Sequence, residues 1–138
     1  MESEPAAAPA AAAADVKLPM GLLGFEQIKN YLLIADSAEQ PFYRFQVRDD
    51  SSLSFVVLEP FLVAPHYQPN LPDLDVQFLG LTSPADALLL GIVTVHSALR
   101  ATINLKGPVV INRKTGVGKQ VILVNAADYS VQYPLPAA

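Results

Sequence analysis

The feature that most limits what this chain can fold into is a series of short runs rich in β-branched and aromatic residues. They are "YLLIA" (31–35), "FYRFQV" (42–47), "LSFVVLE" (53–59), "VQFLGL" (76–81), "LLLGIVTVHS" (88–97), "ATINL" (101–105), "VVIN" (109–112), "QVILVN" (120–125) and "YSVQY" (129–133). Such runs read as strands, and Pro, Gly, Asn, Asp or Ser bounds most of them. They recur roughly every 8–12 residues, the rhythm of an antiparallel sandwich or barrel and not of alternating strands and helices. Within "FYRFQV" the alternation is partial, with Arg44, Gln46 and the following Arg48 on one face. Only "GFEQIKN" (24–30) and "SPADALL" (83–89) read as helical turns, the second with Ser83 as N-cap and Pro84 in its first turn. Twelve prolines punctuate the connections and protect strand edges. The expected fold is all-β: a small antiparallel closed or half-closed barrel with one or two short helical turns.

The opening "MESEPAAAPAAAAAD" is Ala/Pro low-complexity sequence, interrupted at Pro5 and Pro9 and without large apolar side chains to pack. It reads as a disordered tail over residues 1–15, with one folded domain over 16–138. Glu2 and Glu4 stand where a secretory signal has its positive start. The longest apolar stretch, "ALLLGIVTV" (87–95), is half the roughly 18 residues of a membrane span. With no Cys, disulfides, thiolate metal sites and cysteine nucleophiles are excluded. The expectation is a soluble cytoplasmic protein.

The net charge of −4 comes mostly from Glu2, Glu4 and Asp15; without them ten acids face nine bases. Residues 49–99 hold Asp49, Asp50, Glu59, Asp73, Asp75 and Asp86 but no Lys or Arg, whereas residues 100–127 hold Arg100, Lys106, Arg113, Lys114 and Lys119 but no acid. Such segregation either builds an acidic and a basic face or decorates ordinary solvated strands. A nearly neutral domain does not suit direct nucleic-acid binding, which needs a strongly basic surface.

The stretch "KTGVGKQ" (114–120) imitates a phosphate-binding loop, G-x-x-x-x-G-K-[ST], and fails it. Arg113 stands where the first Gly belongs, Gln120 where the metal-binding hydroxyl belongs, and a β-branched run follows in place of a helix. A hairpin between "VVIN" and "QVILVN" explains both glycines. "KTG" also echoes a penicillin-recognising signature, but no S-x-x-K accompanies it. Neither His66, in the Pro-rich loop "APHYQPNLPD", nor His96, after an apolar strand, has an organised base or orienter beside it in sequence. Asp73-x-Asp75 lacks a third metal ligand. No catalytic residue, cofactor or metal is expected.

The order of short motifs resembles the flagellar assembly factor FliW family. "GLLGFE" (21–26) matches its Gly-x-x-Gly-Phe-Glu opening, and "PFYRFQVRDDSSLSFVVLEPFLVAPHY" (41–67) follows its Pro-Phe, Gln, acidic, Phe-Val-Val, Pro and Tyr series. "TINLKGPVVIN" followed by "GKQVIL" is similar to its Asn-Leu-x-Ala-Pro-Ile-Val-Ile-Asn and Gly-x-Gln signature. The resemblance covers residues 16–135. Gly107 replaces the usual Ala, Leu18 a usual Phe, and His66 precedes Tyr67 where an acid is common. The resemblance implies a non-enzymatic regulator that binds the translational regulator CsrA and relieves its repression of flagellin synthesis. Flagellin is the competing partner, and the regulator is a monomer when free.

For a partner face the residues single out Asp49, Asp50, Glu59 and Phe61: acids around an aromatic suit a basic RNA-binding partner, charge steering the encounter and the ring supplying buried area. Gly24, Phe25, Phe42, Phe55 and Pro108 read as scaffold. Asn104 and Asn112 flank the signature; each either contacts a partner or satisfies backbone groups at a strand end, and Asn104 joins the candidate list. The alternative function is a β-barrel module that binds peptide or carbohydrate through an aromatic-lined groove.

Overall fold

The computed structural model describes residues 11–136. Strands β1 (Ala11–Lys17), β2 (Asn30–Asp36), β3 (Tyr43–Val47), β4 (Ser54–Leu58) and β5 (Ala87–Ser97) form an antiparallel series in sequence order. Beyond β5 the sheet forks. β6 (Arg100–Ile103) pairs with the second half of β5, and β7 (Val109–Asn112) pairs with its first half, Ala87–Leu90. A corner at residues 104–108 separates the two. From it one arm continues through β9 (Tyr133–Pro134), paired with β6, and the other through β8 (Gly118–Gln120), paired with β7. The second arm curls back until Val117 makes a single bridge with Lys17 at the end of β1. The all-β expectation holds in its half-closed form: the sheet is not closed, and one bridge stands where a closed barrel has a ladder.

Both faces of the curled sheet are covered. Inside the curl, Val16, Leu18, Leu22, Tyr31, Phe45, Val57, Leu90 and Ile111 pack together, with Tyr31 stacked on Phe45 at 4.5 Å. On the other face Leu58, Val93 and Ile103 lie against Tyr67, Leu105 and Leu123. Neighbouring residues of one strand thus enter different cores, Val57 one and Leu58 the other. "VVIN" is divided in the same way, Val109 and Ile111 entering the inner core and Val110 packing on the other face with Leu79 and Val121, so it is buried at all four positions and shows no alternation in sequence.

Several expected elements change. The run 76–81, read as a strand, belongs to helix α1 (Asp73–Leu79), which starts after Pro72 and ends at Gly80 in the left-handed region (φ 67°). Its Val76 and Leu79 sit three apart and face inward, a helical spacing hidden among β-formers, while Pro72 and Gly80 are start and stop signals. Residues 11–15, assigned to the tail, form most of β1. Alanine is a poor strand former, but β1 pairs residue for residue with β2 and is pinned by buried Val16, so the ladder overrides propensity. Residues 1–10 of the expected tail lie outside the described residues. The segment 24–30, expected as a helical turn, holds no helix: Phe25 N–H donates to the Leu22 carbonyl and Ile28 N–H to the Phe25 carbonyl as isolated turn bonds, and Asn30 already opens β2. The expected turn near Ser83 is a 3₁₀ turn, Pro84–Asp86, and Ser83 contributes no side-chain cap. Of "QVILVN" only Gln120 lies in a ladder; the chain then bonds to Pro108, Lys106 and Asn70. Of "YSVQY" only Tyr133 does.

Candidate interaction surface

The acids and bases segregated along the sequence are interleaved by the fold. Lys119 pairs with Asp75 at 2.5 Å, Lys114 with Asp86 at 3.4 Å, and Arg48 with Asp15. Bases from the β7–β8 arm lie over acids from the 73–86 segment, so no wholly acidic face faces a wholly basic one. Asp86 also accepts from the Thr82 hydroxyl at 2.7 Å, and this bond, with Lys114 close by, holds its pKa below the usual carboxylate range.

The expected site residues fall into three places. Asp49 and Asp50 are exposed in the β3–β4 turn, where Asp50 accepts from the Ser52 hydroxyl (2.5 Å) and backbone N–H (3.1 Å); those bonds lower its pKa. Glu59 and Phe61 stand beyond the other end of β4. The five residues of β4 between the two pairs span roughly 17 Å, so the four residues expected to form one patch occupy opposite ends of a strand.

At the Glu59 end, Glu59 accepts from the Tyr43 hydroxyl at 3.3 Å, and burial together with Glu59 raises the Tyr43 pKa. Phe61 is 44% exposed while its inner side leans on Tyr67 at 5.6 Å. Tyr67 is itself fixed, donating to the Leu105 carbonyl at 2.6 Å. Phe61 borders a cleft of about 530 Å³ lined by Leu71, Val76, Leu81, Ala87 and Leu89. The sequence hid this cleft because its walls come from a Pro-rich loop, a helix disguised as a strand, and the start of β5.

Asn104 occupies the corner where the sheet forks. Its side-chain oxygen accepts from the N–H groups of Lys106 and Gly107, both at 3.0 Å. Gln120 completes the junction: its Nε2 donates to the Gly107 carbonyl (3.1 Å), and its Oε1 accepts from Leu23 N–H (2.9 Å). Leu23 belongs to the loop 18–29, whose ends are joined by Leu18 N–H donating to the Lys29 carbonyl at 2.8 Å. Buried Leu22 and an edge contact of Phe25 with Phe55 at 5.2 Å anchor this loop, while Met20 and Leu23 remain 55% and 62% exposed. Gln120 was legible only as part of a motif; nothing in the sequence says which backbone groups it joins.

Asn112 is structural: its Nδ2 donates to the Leu79 carbonyl at 2.8 Å and closes the C-terminus of α1. "KTGVGKQ" is the hairpin between β7 and β8, with Gly116 at φ 76° donating to the Asn112 carbonyl. His96 Nε2 lies 2.9 Å from the Thr102 hydroxyl and His66 is exposed in its loop. Among the described residues no three His, Asp or Glu groups converge as metal ligands, and no helix is long and apolar enough to cross a membrane.

The motifs "GLLGFE", "NLKGPVVIN" and "GKQ", distant in sequence, thus meet around one carboxamide. The family model described as FliW protein matches residues 5–135. The chain belongs to the FliW family. A FliW relative from Leptospira biflexa is 43% identical over 109 residues, 78% of this chain and 71% of the relative. One from Clostridioides difficile is 35% identical over 121 residues, 87% of this chain and 92% of the relative. Both are described as flagellar assembly factor FliW. A crystal structure of the flagellar assembly factor FliW matches with a TM-score of 0.74 at 32% identity, over 89% of this chain and 84% of that one. The half-closed sheet is therefore the FliW architecture.

Proposed function

We propose that this FliW-family chain is a non-enzymatic regulator of flagellar assembly that acts in the cytoplasm by exchanging partners. It binds CsrA and relieves repression of flagellin synthesis; unexported flagellin takes its place on the regulator and returns CsrA to the transcript. The observation that carries this reading is how the family's signature residues are used. Asn104, Gly107 and Gln120 are engaged with backbone and build a junction, while large apolar side chains stand exposed on the loops it organises, Met20 and Leu23 among them. Exposed apolar groups on an organised scaffold suit a protein that works by docking.

Calorimetric titration of the chain with CsrA from the same organism, repeated with flagellin present, tests it. Micromolar or tighter binding that flagellin abolishes is the expected result. Absence of binding to either folded partner overturns the assignment.

A further inference from the structure

We infer that the cleft lined by Tyr67, Tyr129 and Tyr133 binds a proline-rich segment in extended polyproline form, with a Lys or Arg at its flank. The inference goes beyond the partner exchange proposed above and does not depend on which proteins take part in it.

The cleft has a volume of about 440 Å³, and three separate stretches of chain wall it. One is the loop carrying Pro65, His66 and Tyr67, one is Leu105 at the corner where the sheet forks, and one runs from the 3₁₀ turn Ala126–Asp128 to Tyr133 of β9. Three hydrogen bonds stitch the walls together. The Tyr67 hydroxyl donates to the Leu105 carbonyl at 2.6 Å, Leu105 N–H to the Ser130 carbonyl at 2.9 Å, and Gln68 N–H to the Tyr129 hydroxyl at 2.9 Å. The site is thus formed before any ligand arrives, which lowers the ordering cost of binding.

The lining is aromatic, and its polar side chains are mainly hydroxyls. Tyr67 and Tyr129 meet edge to face, 4.8 Å apart at 80°, so they make a corner and not the single flat platform on which a sugar ring stacks. The Tyr129 and Ser130 hydroxyls each accept a backbone N–H, from Gln68 and Gln132, and each retains an O–H to donate. Tyr133 adds a third hydroxyl to the lining. The backbone N–H groups of Ala64, Tyr67, Leu105, Asp128 and Tyr129 are all bonded within the fold, so an incoming β-strand finds no ladder to join. A ligand is therefore held by bringing carbonyl oxygens to side-chain hydroxyls and apolar rings to aromatic ones. A polyproline helix brings both: its carbonyls have no internal partner, and proline has no N–H that needs an acceptor. Aromatic-lined grooves recognise such segments at low entropic cost, because the helix exists before binding.

Charge selects the flank. Asp128 is the carboxylate in the lining; it is exposed and takes part in none of the ion pairs among the described residues. A cation beside the proline run gains from Asp128, and an acid there is opposed.

NMR titration of the full chain, read at the Tyr129 and Tyr133 ring signals, tests the inference with three end-blocked peptides. They are a decaproline ending in Arg, the same run ending in Glu, and an Arg-ended peptide with alanine in place of every proline. The Arg-ended proline peptide is expected to shift both signals saturably. It is expected to bind several-fold tighter than the Glu-ended one at low salt, the difference shrinking at high salt. The alanine peptide is expected to leave both signals unmoved. Tyr133→Phe keeps the ring and loses a donor, and is expected to weaken binding about threefold or more. Asp128→Lys is expected to abolish or reverse the preference for Arg over Glu, with circular dichroism confirming that both variants are folded. Absence of saturable shifts with either proline peptide, an equal response to the alanine peptide, or equal affinity for the Arg and Glu ends overturns the inference. Binding that is unchanged in both folded variants overturns it as well. So does a response to maltohexaose with none to the peptides, which marks the cleft as a carbohydrate site.

Discussion

Replacing Gln120 tests the idea that one carboxamide holds the family's three motifs together. Gln120→Ala removes two hydrogen bonds to backbone, from Leu23 N–H and to the Gly107 carbonyl. Each is worth about 0.5–1.5 kcal/mol net. The Leu23 side is open to water, which recovers part of its loss, so the whole change is expected to cost about 1–2 kcal/mol. In a domain of this size that lowers Tm by roughly 3–8 °C. Gln120→Glu is the sharper variant, because it keeps an acceptor for Leu23 and loses the donor to Gly107, placing a carboxylate against a carbonyl. It is expected to be at least as destabilising as the Ala variant at neutral pH and to recover part of the loss when acid protonates it. Urea unfolding followed by circular dichroism reads both. A Gln120→Glu variant as stable as the parent at pH 7, or a Gln120→Ala loss below about 0.3 kcal/mol, refutes the clamp.

Other consequences are equally specific. Gly21 and Gly24 both have positive φ, 67° and 88°, but a Cβ at Gly21 meets Glu26 backbone at 2.6 Å, whereas one at Gly24 meets nothing within 4 Å. Gly21→Ala is expected to cost well over 2 kcal/mol and Gly24→Ala about 1 kcal/mol in chemical denaturation; equal costs contradict the loop geometry. The buried Tyr31 hydroxyl has no hydrogen-bond partner, so Tyr31→Phe is expected to leave stability unchanged or raise it by up to about 1 kcal/mol, and a clear loss in thermal unfolding contradicts this. Asp50 and Asp86 have folded pKa values lowered by Ser52 and Thr82. Their contribution is therefore complete above the unfolded carboxylate value near pH 4 and lost as pH falls through the lower folded values. Asp86→Asn is expected to flatten the acid limb of stability against pH. Tyr67 titrates in the opposite sense: burial raises its pKa, so its contribution persists to about pH 10 and disappears at more alkaline pH.

Much of the strand series was legible because β-branched and aromatic residues crowd β2 to β7 and Pro or Gly marks their ends. What failed did so for identifiable reasons. "VQFLGL" has strand composition, but its phase is set by Pro72 in front and Gly80 behind, and those outweigh the β-formers. "AAAADVK" has no strand composition at all; it is a strand because β2 offers it a ladder and Val16 a place in the core. The fork after β5 was invisible, since a corner at Asn104–Pro108 splits what reads as two similar strands into two arms with different partners. Charge was the most misleading signal. Acids and bases lie in separate blocks of sequence, yet antiparallel return of the β7–β8 arm sets Lys114 and Lys119 on Asp86 and Asp75. Of the residues named from sequence, Phe61 borders a pocket, Asp49 and Asp50 sit elsewhere, and Asn104 holds the corner. Side-chain-to-backbone clamps such as Gln120 depend on partners 13 and 97 positions away and leave no local trace.

The most direct test of the partner exchange follows CsrA on its RNA. A fluorescent leader of the flagellin transcript is saturated with CsrA, and its anisotropy is followed as this chain and then flagellin are added. The account predicts that the chain releases the RNA and that flagellin, added next, restores the CsrA–RNA complex. RNA that stays bound in the presence of excess folded chain contradicts the account, as does RNA that flagellin fails to return to CsrA.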